Sequence, residues 1–147
     1  MTVDLSAASA AGGTPILFVD DDEDAAATYR VLLSMAGYAV SAVHSVREAL
    51  DLLDERPDIR LVVSDVRMPE VDGLDLVRVL RHRFPNLPCI LLTGAVLTGE
   101  DVIPHEALIV TKPVPIEELT RAISDRLQAS SAKTANDATP RRGKRSP

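Results

Sequence analysis

A single doubly wound α/β domain, its parallel sheet covered by helices on both faces, is the fold class that the sequence predicts. Three observations lead there. Short branched-apolar runs alternate along the chain with stretches of helical period. Those runs are continuous rather than alternating, which marks strands buried on both faces. Finally, the polar residues with chemical potential stand just after the runs, where a parallel sheet collects all its strand C-termini on one edge.

The first run, Pro15-Ile16-Leu17-Phe18-Val19, is too short for a helix and reads as a buried strand. It ends in Asp20-Asp21-Asp22-Glu23-Asp24. From Asp24 to Ala36 the apolar positions Ala27, Val31, Leu32 and Met35 recur at helical spacing, and Gly37 is placed to end that helix. Ala39–Val43 is the second strand. Ser45 with Glu48 three residues later predicts a capping box for a helix over Val46–Glu55, stopped by Pro57. The third strand is Ile59–Ser64, delivering Asp65 to its end. A helix carrying Leu74, Val77 and Leu80 then runs to Phe84 and stops at Pro85. Cys89–Thr93 is the fourth strand and Ala107–Thr111 the fifth, followed by Lys112-Pro113. A last helix starts at Ile116 and runs to about Leu127, with Leu119, Ile123 and Leu127 at helical spacing.

At 147 residues the chain fits one domain plus tails. Residues 1–13 read as a disordered leader, 14–128 as the folded domain, and 129–147 as a disordered basic tail. The net charge of −6 is unevenly placed. The tail holds five basic residues (Lys133, Arg141, Arg142, Lys144, Arg145) against Asp137, so the body carries −10. An acidic body argues against a duplex-DNA-binding fold, and no DNA-binding domain is expected. There is no apolar run of about eighteen residues, so no membrane span is expected. The lone Cys89 excludes an internal disulfide, suits a reducing cytoplasm, and reads as a small core residue.

The strand ends bring together Asp20 and Asp21, Asp65, Thr93 and Lys112. Clustered carboxylates repel and raise one another's pKa unless a cation neutralises them. An all-oxygen set with no Cys, and no His nearby in sequence, selects a hard divalent ion, with Mg²⁺ the best match. A carboxylate beside such an ion can act as a nucleophile toward phosphorus, with a lysine and a hydroxyl to bind the transferred group. Asp22, Glu23 and Asp24 are better explained as an acidic first helical turn. Met68 and Pro69 shape the loop after Asp65, and Gly73 opens the next helix. Tyr29 and Tyr38 read as packing residues, and His44, His82 and His105 as solvated surface.

FVDDDED, VVSDVRMPEVDG, LLTGA and VTKP, in that order at strand ends, resemble the receiver domain of two-component response regulators over residues 15 to about 128. The resemblance implies a flavodoxin-like strand order 2-1-3-4-5. It implies that Asp65 is the phospho-acceptor, and that Mg²⁺ is held by Asp20, Asp21 (the more direct ligand of the pair), Asp65 and the backbone carbonyl of Arg67. Lys112 and Thr93 would bind the phosphoryl oxygens, and Pro113 would match the family's cis-proline. The implied donor is a histidine kinase or phosphotransfer protein and the implied output a downstream protein target; a homodimer is compatible with it. The implied role is signalling rather than catalysis on an external substrate.

Two departures from the family pattern stand out. Only twelve residues, Ala95–Glu106, join strands four and five, against a usual crossover of at least ~10–12 residues including its helix, so that helix is expected to be a turn or two over Gly99–Ile103. Ile109 occupies a position where many members carry Tyr or Phe. A receiver-like interaction module that works without phosphorylation is the alternative reading. A haloacid-dehalogenase-like phosphatase fits less well, because Arg67 stands where a second Asp would be needed. Nothing after the last helix resembles an output domain, so a stand-alone receiver is expected.

Overall fold

The computed structural model describes residues 13–66, 73–94 and 107–138. Five strands are present: β1 (Thr14–Val19), β2 (Tyr38–Val43), β3 (Val62–Asp65), β4 (Cys89–Thr93) and β5 (Ala107–Thr111). Among the described residues there are four helices: α1 (Glu23–Met35), α2 (Val46–Glu55), α3 (Gly73–Arg83) and α4 (Ile116–Ala138). The expected leader, apart from Gly13, the Arg67–Asp72 loop and the short helix at Gly99–Ile103 lie outside the described residues.

All strand pairs are parallel and the order is β2-β1-β3-β4-β5, as the resemblance implies. Residues alternate between two cores along each strand. Leu17 and Val19 of β1 join Val46, Ala49 and Leu53 of α2 and Leu76, Val77 and Leu80 of α3 on one face. Ile16 and Phe18 join Ala26 and Leu33 of α1 and Leu119 and Ile123 of α4 on the other. Burial on both sides is why Ile16–Val19 of β1, Val62 and Val63 of β3 and Cys89–Leu92 of β4 are apolar up to the polar residues at their ends, whereas the half-buried edge strand β2 accommodates Ser41. Cys89 is buried in the first core, and burial pushes its thiol up to about 12.

Local sequence chemistry sets the helix limits. Asp22 caps α1, its Oδ1 accepting from the Asp24 and Ala25 N–H groups at 3.0 and 3.2 Å, with Glu23 and Asp24 in the first turn. Gly37, at φ 105°, takes the left-handed conformation after α1. Ser45 caps α2, its Oγ accepting from the Glu48 N–H at 3.1 Å. The Glu48 carboxylate departs from the expected capping box: it accepts from the His44 N–H at 2.8 Å, one residue before the cap.

Two expectations are corrected. Strand three begins at Val62 rather than Ile59 and includes Asp65 as its last residue. The last helix continues to Ala138, so the first ten residues of the expected disordered tail are helical. The apolar spacing ends at Leu127, but Ala129, Ala132, Ala135 and Ala138 favour helix and no proline intervenes before Pro140.

Candidate functional site

Sheet register assembles the site. Val19 pairs with Ser64, so the next residues, Asp20 and Asp65, stand side by side at the C-terminal edge. Asp65 pairs with Leu92 and Thr93 with Thr111, which puts Thr93 and Lys112 on the same edge. The Lys112 N–H donates to the Thr93 carbonyl oxygen at 2.8 Å and locks the two strand ends together. The Lys112–Pro113 peptide is cis.

The Lys112 ammonium lies 3.2 Å from Asp65 Oδ1 and 3.8 Å from Asp20 Oδ2. Burial opposes its charge, but Asp65 and Asp20 outweigh burial and raise its pKa above 10.5. Asp20 is 1% exposed. Its pKa is raised, chiefly by burial; Asp65 and Asp21 add to the rise, while the Asp22 N–H (to Oδ1, 2.9 Å) and Lys112 oppose it. Asp20 Oδ2 is buried and accepts no hydrogen bond. Asp21 is exposed. Oxygens of Asp20, Asp21 and Asp65 all lie within 4.8 Å of one another, the one such group among the described residues. Three carboxylates, with a buried oxygen lacking a donor, fit a hard divalent cation held by oxygen ligands.

Thr93 is buried at the end of β4, with its backbone tied to Lys112. The backbone carbonyl of Arg67 lies outside the described residues. Gly73 is more than a helix opener. Its N–H donates to the Val66 carbonyl at 2.8 Å, and a Cβ there would collide with the Asp65 carbonyl oxygen and sit 3.1 Å from Val66 Cα. The absence of a side chain lets α3 start directly against the strand that carries Asp65.

His44 corrects the expectation of a solvated surface residue. It is half-buried, and its Nδ1 lies 3.2 Å from the Asp20 carbonyl oxygen. Its signal was present in the sequence as the residue directly after strand two, on the edge that the other strand ends share. Tyr29 packs as expected, stacked on Phe18 with ring centroids 5.0 Å apart.

Comparison with known proteins agrees with the fold. The family described as "Response regulator receiver domain" matches residues 16–124. The "Response regulator MprA" of Mycolicibacterium vanbaalenii is 42% identical over 108 residues, covering 71% of this chain and 46% of that protein. The chain thus spans about half the length of the curated relatives it matches. A receiver protein structure from Sinorhizobium medicae superposes with a TM-score of 0.71 at 30% identity, over 80% of this chain and 97% of that one. A receiver domain structure from Clostridium thermocellum gives 0.72 at 27%, over 81% and 98%.

Proposed function

The chain belongs to the response regulator receiver domain family of two-component signalling, and from that premise we propose that it is a phosphoryl-accepting switch with Asp65 as the acceptor. The observation that carries this reading is the Lys112 ammonium set between Asp65 and the buried Asp20, within a cluster of three carboxylates. An ordinary structural ion pair needs one acid, not three.

In the proposed reaction an Asp65 carboxylate oxygen attacks the phosphorus of a phosphohistidine on a histidine kinase or phosphotransfer protein. The new P–O bond forms as the P–N bond breaks, giving an aspartyl phosphate, and the imidazole leaves with its electron pair and is protonated from solvent. Lys112, already 3.2 Å from Asp65, shifts its pairing from the carboxylate to the phosphoryl oxygens. Thr93 donates its hydroxyl to the same group. Asp20, Asp21 and Asp65, together with the Arg67 carbonyl that the family resemblance adds, would hold Mg²⁺, with Asp21 the more direct ligand of the acidic pair. When bound, that ion neutralises carboxylate repulsion and charge on the transferred group.

The working unit is residues 14–128, acting in the cytoplasm on a downstream protein target, with a homodimer as one form of output. No helix among the described residues is long and apolar enough to cross a membrane. Incubation with Mg²⁺ and a small acyl phosphate, followed by intact mass measurement, tests the reading. Wild type is expected to gain one phosphoryl group, and Asp65→Ala none. Absence of the adduct on wild type, or its persistence on Asp65→Ala, would overturn the assignment.

A further inference from the structure

His44 follows β2 as Asp20 follows β1, and the pairing of Val19 with Val43 brings these next two residues side by side. The Asp20 peptide is gripped from both directions. Its N–H donates to the Val43 carbonyl at 3.1 Å, and its carbonyl oxygen faces His44 Nδ1 at 3.2 Å. A carbonyl only accepts, so Nδ1 carries the proton in this contact. The His44 backbone is anchored in turn, because its N–H donates to Glu48 Oε1 at 2.8 Å at the first turn of α2. On the side chain, Oδ1 accepts from the Asp22 N–H at 2.9 Å. Every polar group of Asp20 but one is thereby committed to a neighbour. The exception is Oδ2, buried and 3.8 Å from Lys112 Nζ.

We propose that His44 is a positioning residue for the divalent-cation site, its ring holding the Asp20 peptide so that Oδ2 stays turned into the carboxylate cluster. This rests on the Mg²⁺ reading of that cluster given above. Hydrogen bonds one shell behind a ligand orient it, and their loss typically weakens metal affinity by roughly 10–100-fold. Here the bond acts on the ligand's backbone rather than its carboxylate. Two variants separate the hydrogen bond from mere packing. His44→Phe keeps a ring but removes the donor, whereas His44→Asn offers an amide N–H close to the place of Nδ1.

The test is calorimetric titration of the full chain with Mg²⁺, alongside unfolding midpoints with and without the ion. His44→Phe is expected to bind Mg²⁺ roughly tenfold more weakly than wild type and to lose most of the Mg²⁺-induced rise in midpoint. His44→Asn is expected to recover most of both. Wild-type affinity in His44→Phe would overturn the proposal, as would equal loss in both variants. If wild type itself binds no Mg²⁺, the reading of the carboxylate cluster fails and this inference falls with it; if wild type binds and His44→Phe matches it, this inference alone fails.

Discussion

Asp20 carries opposing electrostatic influences. Burial and two neighbouring carboxylates favour its neutral form, while one backbone N–H and the Lys112 ammonium favour the anion; the first set prevails and the pKa rises. An acid whose folded pKa exceeds its unfolded value destabilises the fold when ionised. That cost is absent below about 3.8, the ordinary carboxyl value, grows as pH rises through the folded pKa, and is complete above it. Asp20→Asn removes it. In metal-free buffer at pH 7 the variant is therefore expected to melt above wild type, with the gap narrowing as pH is lowered toward 4. Adding Mg²⁺ should stabilise wild type and leave the variant nearly unmoved. Thermal melts across pH, with and without the ion, check each part, and a variant melting below wild type in metal-free buffer at pH 7 would refute this account. Asp20 was legible in the sequence as a candidate, because it opens an acidic run directly after a buried strand. Its partner His44 was harder to find, since nothing within a few residues of His44 relates it to Asp20.

At the scale of elements, the joint between β3 and α3 places Asp65, the proposed acceptor. Gly73 opens the helix against the backbone of Asp65 and Val66, at a distance that leaves no room for a methyl group. Gly73→Ala improves helix propensity but forces helix and strand apart, and crowding of that kind costs about 1–3 kcal/mol. The variant is expected to lose stability in denaturant titration and to accept phosphoryl groups from a small donor more slowly, because the displaced atoms belong to Asp65 itself. Unchanged stability and rate would show that the joint relaxes freely. Helix starts and stops were readable from local signals: Ser45, Gly37 and Pro85 each act through bonds or sterics within a few residues, while Asp22, expected in the first turn of α1, is its cap. The end of α4 was misjudged for the opposite reason. Apolar spacing marks where a helix is packed, not where it ceases, and the alanine-rich continuation to Ala138 needs no packed face to remain helical.

For the molecule as a whole, two cores on opposite faces of the sheet hold the C-terminal edge in place. The described contacts of α4 with its core come from Ile116, Leu119, Ala122, Ile123 and Leu127. Because the apolar helical spacing in the sequence ends at Leu127, ending the chain after Gln128 is expected to leave the unfolding free energy within about 0.5 kcal/mol of wild type, while helical content by circular dichroism falls. A larger loss would place part of the core beyond residue 128. The sequence by itself determined the class of fold, the presence of all five strands and which polar residues stand at their ends, because the strands buried on both faces read as continuous apolar runs that stop at those residues. The tertiary structure decided what no local pattern carries. Register set Asp20 beside both Asp65 and His44, Lys112 came within reach of two acids, and Gly73 met the backbone of Asp65. Each of these contacts joins separate elements, and a residue's own neighbours in sequence do not fix its distance to a partner on another strand.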